Sequence, residues 1–163
     1  MAKQKESKLE KLKKDYLKIQ KKYNLPEFDK LNRDFSIEKT ADSETDFLIR
    51  EIRKVIAEKM SGYLRFTEML INPTNAPIFV FSIIKNLGVR EKKDLSEMYK
   101  KMAKNEIKLI GIDIEFSEEK EAEFIKDSYK LWQRLKRDFL NIVGTIEKNW
   151  DNKFEVDKKG YVG

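Results

Sequence analysis

The stretch SETDFLIREIRKVIAEKMSGYLRFTEMLIN (residues 43–72) decides the fold class. Its apolar residues Leu48, Ile49, Ile52, Val55, Ile56, Met60, Tyr63, Phe66, Leu70 and Ile71 recur three and four apart. That period wraps one broad face of an α-helix, and strict alternation is nowhere present. Asp46 with Arg50 and Lys54 with Glu58 place opposite charges four apart on the outside. Ser43 is the expected N-cap, Glu44 and Asp46 suit the positive end of the helix dipole, and Asn72-Pro73 closes the segment. Ser61-Gly62 is the expected site of a kink.

The same period extends to either side. Residues 3–23 carry Leu9, Leu12, Tyr16, Ile19 and Tyr23 as a heptad seam of the coiled-coil type. Asn24-Leu25-Pro26 ends that helix, and a short one follows from Pro26 to about Arg33, with Phe28 and Leu31 as its contacts. Residues 34–42 read as a connector. Residues 75–87 are rich in β-branched and aromatic side chains and fit either a strand or a helix. A lone strand has nothing to pair with, so the reading is a short buried helix with Asn75 as cap, Pro77 in the first turn and Gly88 past the end.

Residues 90–109 read as a helix. Ile110, Ile112, Ile114 and Phe116 then alternate with polar or small residues, which predicts an extended crossing segment. Ser117 caps the longest helix, running to about Trp150 on Ala122, Ile125, Tyr129, Trp132, Phe139, Val143, Ile146 and Trp150. The expectation is an all-α protein, an antiparallel bundle of about four long helices with one or two short ones. Residues 1–150 form a single domain and residues 151–163 a frayed, charged tail. Helices 43–72 and 117–150 form the core pair, so Asp at Ile52 or Val143 should unfold the chain.

Composition bounds the chemistry. In 163 residues there is neither Cys nor His, which excludes disulfides, His/Cys metal centres, catalytic triads and imidazole acid–base chemistry. Without His the net charge should hardly change between pH ~5 and ~8. A metal would have to be a hard cation held by oxygens. The charge-free stretch that includes Asn72 to Ile84 is too short to span a bilayer, and no apolar stretch follows the basic N-terminus as a signal peptide requires. A cytoplasmic protein without membrane attachment or cofactor is expected. Glycines are too scattered for a nucleotide-binding turn.

The charge is uneven. Residues 1–23 hold 9 Lys against 3 acids, while the rest balances at 26 basic and 26 acidic residues. Opposite the seam of the first helix, Lys11, Lys14, Lys18 and Lys21 share one face. The bland reading is a solvated outer face. The functional one is contact with phosphates, without sequence preference because Arg is absent from residues 1–32. At the start of the last helix Glu119, Glu123 and Asp127 fall four apart, where dipole complementation competes with Mg²⁺ binding and is the reading taken. The carboxylate pattern of all-α nucleotide pyrophosphohydrolases fails, since its third Glu falls at Ala122. Ser-x-x-Lys occurs at Ser36, Ser82 and Ser117 without the companion motifs of a Ser–Lys nucleophile. Trp132 and Trp150 are the first suspects for an exposed aromatic patch.

Residues 21–32, 44–53 and 121–126 together resemble small, uncharacterised, all-helical proteins of archaea. The resemblance implies a cytoplasmic helical protein and brings no activity or site residues with it. High Lys, Glu and Ile usage suits a thermophile. The expected role is a non-catalytic binding or scaffold protein, with a protein partner or self-association. The alternative is a nonspecific nucleic-acid or ribosome-associated protein using Lys11, Lys14, Lys18 and Lys21.

Overall fold

Helix follows helix along the chain. In the computed structural model, which describes residues 7–159 and side chains through residue 151, the order is α1 (Lys8–Tyr23), α2 (Phe28–Phe35), a 3-10 helix (Ile37–Asp42), α3 (Leu48–Ile71), α4 (Ile78–Lys85), α5 (Val89–Ile114) and α6 (Glu118–Lys159). No strand occurs among the described residues, so the class is all-α. Residues 3–6 of the first expected helix lie outside the described residues.

The start of α1 is a capping box. The Glu10 N–H donates to Ser7 Oγ and the Ser7 N–H to Glu10 Oε2, at 3.2 and 2.9 Å. Asn24 ends the helix in the left-handed conformation, with φ 53°. Tyr16 is fully buried, stacks edge-on against Phe28 and donates its hydroxyl hydrogen to the Pro26 carbonyl at 2.5 Å. That one side chain ties α1 to the start of α2. Burial holds the Tyr16 phenol well above the usual tyrosine range.

Several expectations need correction. Ser43 is not the N-cap of α3 but the C-cap of the 3-10 helix, since α3 begins at Leu48 with the Phe47 carbonyl accepting from Arg50 and Glu51. The reason is local competition. Ser43 N–H bonds the Thr40 carbonyl and Phe47 N–H bonds Thr45 Oγ1, so residues 37–47 spend their polar groups on tight turns. The connector at 34–42 is therefore partly the 3-10 helix, and α2 starts two residues later than expected and ends at Phe35. α3 is helical on both sides of Ser61-Gly62, the expected kink site.

The stretch 110–116 is not extended: α5 continues to Ile114. Leu109 and Ile112 are buried three apart, while Ile110 and Ile114 are exposed four apart, so a short alternation was two helical faces read as one strand. α4 is a helix, as expected, but it is not buried. Val80 is its one fully buried residue, and Pro77 rather than Asn75 is the N-cap. α6 is capped by Ser117, whose Oγ accepts from the Lys120 N–H, and it continues past Trp150 to Lys159.

The register of α6 also differs. Its buried row runs Trp132, Leu135, Phe139, Ile142, while Val143 is 39% exposed. Val143 is therefore no core residue, and Asp there should be tolerated. Ile52 is fully buried as expected.

The described chain divides into two compact units. Unit 1 takes in residues up to Gly62 together with Lys104–Leu131, and unit 2 takes in Tyr63–Ala103 and residues from Trp132 onward. Unit 1 is centred on Tyr16, Leu31, Phe35, Ile52, Ile56 and Ile125. Unit 2 is centred on an aromatic cluster. Tyr63 stacks on Trp132 with centroids 4.6 Å apart, and Phe139 packs against both. Leu95, Met98 and Met102 complete that core.

Candidate functional site

Three features compete for a function: a basic helix face, a buried carboxylate and an apolar groove.

The lysines of α1 divide into two sets. Lys8, Lys13 and Lys22 pair with Asp42, Asp29 and Glu118 of the same unit, at 2.6, 3.4 and 3.1 Å. Lys11, Lys14, Lys18 and Lys21 are all exposed, so the structure does bring the four predicted residues onto one outward face. Acids temper that face. Asp15 takes Lys18 at 2.8 Å, and Lys18 holds the Asp15 carboxyl below the usual carboxylate range. Lys11 borders a cleft of about 510 Å³ that is also lined by Asp15, Asp42, Glu44 and Asp46. At the far end, Tyr23 donates to Glu118, and that hydroxyl together with Lys22 holds the Glu118 carboxyl below its ordinary value.

The carboxylates singled out on α6 do not converge. Glu119 accepts from the Ser117 hydroxyl, Asp127 pairs with Lys108 at 3.0 Å, and Glu123 is exposed. Among the described residues no group of three acidic side chains is placed to hold a metal. The carboxylate that matters is Glu121, which sequence reasoning passed over. Its side chain is fully buried and receives Arg53 Nε at 2.5 Å and Arg53 Nη2 at 3.3 Å. The same guanidinium reaches Asp113 at 2.8 Å. Arg50 approaches Glu121 at 3.7 Å and lies over the Phe116 ring, which meets Phe47 edge-on. Desolvation works against the Arg53 charge, but Glu121 and Asp113 outweigh it and raise its pKa further. Fully buried and with both oxygens accepting from Arg53, Glu121 joins α6 to α3 within unit 1. In the sequence Glu121 is one acid in a run of six, and only Arg50 and Arg53, three apart on the apolar side of α3, hint at a buried partner.

The third feature lies in unit 2. α4 is apolar on every side, a pattern expected of a helix enclosed by protein or lipid. Yet Ile78 is 87%, Phe79 51% and Phe81 43% exposed. Val80 turns inward, and Asn149 Nδ2 of α6 donates to the Asn86 carbonyl at 2.9 Å, pinning the end of α4 to α6. Phe79 and Ile83 on one side and Ile146 and Trp150 on the other then line a groove of about 520 Å³, with Glu147 and Asp151 beside it. The two suspected tryptophans thus part company. Trp150 lines the groove, whereas Trp132 is 6% exposed and belongs to the core.

Comparison with protein-family models, with curated proteins and with solved structures yields no match.

Proposed function

We propose that this chain is a non-catalytic helical binding protein of the cytoplasm, and that it works through the apolar surface of α4 and the adjoining end of α6. The observation that carries the reading is α4 itself. A helix with apolar residues all round and Ile78, Phe79 and Phe81 facing water keeps a hydrophobic cost that a partner would remove. The lack of Cys and His, and the structural role of Glu121, agree with the absence of catalysis in this reading. An antiparallel bundle is the frame that these helix lengths and short connectors favour. Among the described residues no helix is long and apolar enough to cross a membrane.

The test is direct. Native protein should enhance the fluorescence of Nile red, a neutral reporter of apolar surface, and the triple variant Ile78→Ser, Phe79→Ser, Phe81→Ser should lose that enhancement with its helical circular dichroism unchanged. No enhancement by the native protein would refute the reading.

The basic face of α1 supports a second reading, because Lys11, Lys14, Lys18 and Lys21 are exposed at helical spacing on one side. Four phosphate contacts would give a log–log salt slope of about −3.6 on duplex DNA, and Gln at Lys11, Lys14, Lys18 and Lys21 would abolish binding without unfolding. The acids around Lys11 and Lys18 favour the first reading, which expects neither DNA nor RNA to bind at ~50 mM salt.

A further inference from the structure

The groove between α4 and α6 has a composition that selects its occupant. On α6, Ile146 and Trp150 are four residues apart and make an apolar row, and Glu147 and Asp151, also four apart, make an acidic row next to it. Across the groove, Phe79 and Ile83 on α4 are again four apart. Among the described residues no ion pair engages Glu147 or Asp151, whereas the carboxylates around α1 are largely taken up by neighbouring lysines. Phe79, which lines the groove, is 51% exposed. Three rows at helical spacing, two apolar and one acidic, match the face of a helix with an apolar ridge and a basic flank. An anionic lipid surface would be repelled by Glu147 and Asp151.

We propose that this groove docks an amphipathic basic helix of another protein. Its apolar side chains, spaced three and four apart, lie between Phe79, Ile83, Ile146 and Trp150, and its lysines or arginines face Glu147 and Asp151. The inference rests on the reading of α4 as a binding surface and adds the chemistry of the partner.

The experiment uses the full chain and two labelled 18-residue helical peptides with leucines three and four apart, one carrying Lys on the remaining face and the other Glu. Fluorescence anisotropy should show the Leu/Lys peptide binding and the Leu/Glu peptide failing to bind. Trp150→Ala should abolish binding. Glu147→Gln with Asp151→Gln should weaken it about three- to tenfold, with circular dichroism unchanged. Equal binding of both peptides, or no effect of the double Gln variant, overturns the charge selection while Nile red still reports an apolar surface. Binding of neither peptide with Nile red enhancement intact also overturns the inference alone. A dimer in sedimentation that Phe79→Ser dissolves would name a second copy as the occupant and overturn it too.

Discussion

Unit 1 buries Asp34, Thr40, Arg53, Asn105, Glu121 and Ser128, whereas in unit 2 Thr67 stands by itself as a buried polar residue among the described residues. Four of the polar groups of unit 1 are matched in pairs distant in sequence. Arg53 grips Glu121, and Asn105 donates to Ser128 at 3.1 Å. In unit 2 the work is done by stacked rings and methionines, with Thr67 simply bonding back to the Tyr63 carbonyl. The contrast teaches where each region is specified. A buried charge pair tolerates one register, because a slip of one residue strands two ions in apolar surroundings. Aromatic and Met packing is more forgiving and leaves apolar residues over at its edge. In unit 2 those residues are α4 and Trp150, which is where a partner is expected.

The sharpest break of this contrast is Glu121→Ala. It leaves Arg53 buried without its main counter-charge and should cost about 3–5 kcal/mol, measured by urea denaturation. Arg53→Met combined with Glu121→Leu should recover most of that loss. A single variant no worse than wild type would mean that the pair does not organise unit 1. In unit 2 the counterpart is Ile142→Ala, expected to cost about 2–5 kcal/mol, against within about 0.5 kcal/mol for Val143→Ala. Equal losses at the two positions would put the α6 register in doubt.

Acid sharpens the comparison further. Glu10, Asp15, Asp42, Glu115 and Glu118 all have carboxyls held below their ordinary values by neighbouring donors or lysines, and all lie in unit 1. A lowered folded-state pKa adds stability that is complete above the unfolded value of about 4 and is lost as pH falls through the folded value. The side-chain carboxyl NMR signals of these five residues should therefore titrate below the ordinary carboxylate range, and the thermal midpoint should fall only slightly as they protonate, because the groups are exposed. Titration at or above the ordinary range would contradict these pairings. The smallest effect belongs to Ile78→Ser, which should shift stability by no more than about 0.5 kcal/mol in a thermal melt, since its side chain is already in water. A large loss would show α4 to be packed after all.

What the sequence disclosed follows from how much chain each signal spans. The helical class was legible because 43–72 repeats its period from Leu48 to Ile71, over more than six turns. The basic face of α1 was legible because Lys11, Lys14, Lys18 and Lys21 follow the same period opposite an apolar seam. Short windows misled. Residues 110–116 are too few to separate a period of two from two faces of a helix, and on α6 the rows through Ile142 and Val143 are equally regular. The break at Lys136, with Leu135 beside it, was the one sign that the buried row had moved over. Glu121 was illegible for a different reason. Its burial depends on Arg53, 68 residues away, and pairing at that distance leaves no local pattern. α4 was recognisable as a helix from Pro77 and Gly88, but exposure is a property of what surrounds it.

Ser36 sits between α2 and the 3-10 helix in the left-handed conformation, with φ 56° and its N–H donating to the Asn32 carbonyl at 2.7 Å. Two helices share this single residue as a hinge pin, and an L side chain there works against a steric preference of roughly 1–2 kcal/mol. Among randomised codons at this position, selection for folded protein should enrich Gly and Asn and purge Val and Ile. The corner is held by backbone geometry, so Ser36 is a place where the chain can change its spelling toward glycine and fold more firmly.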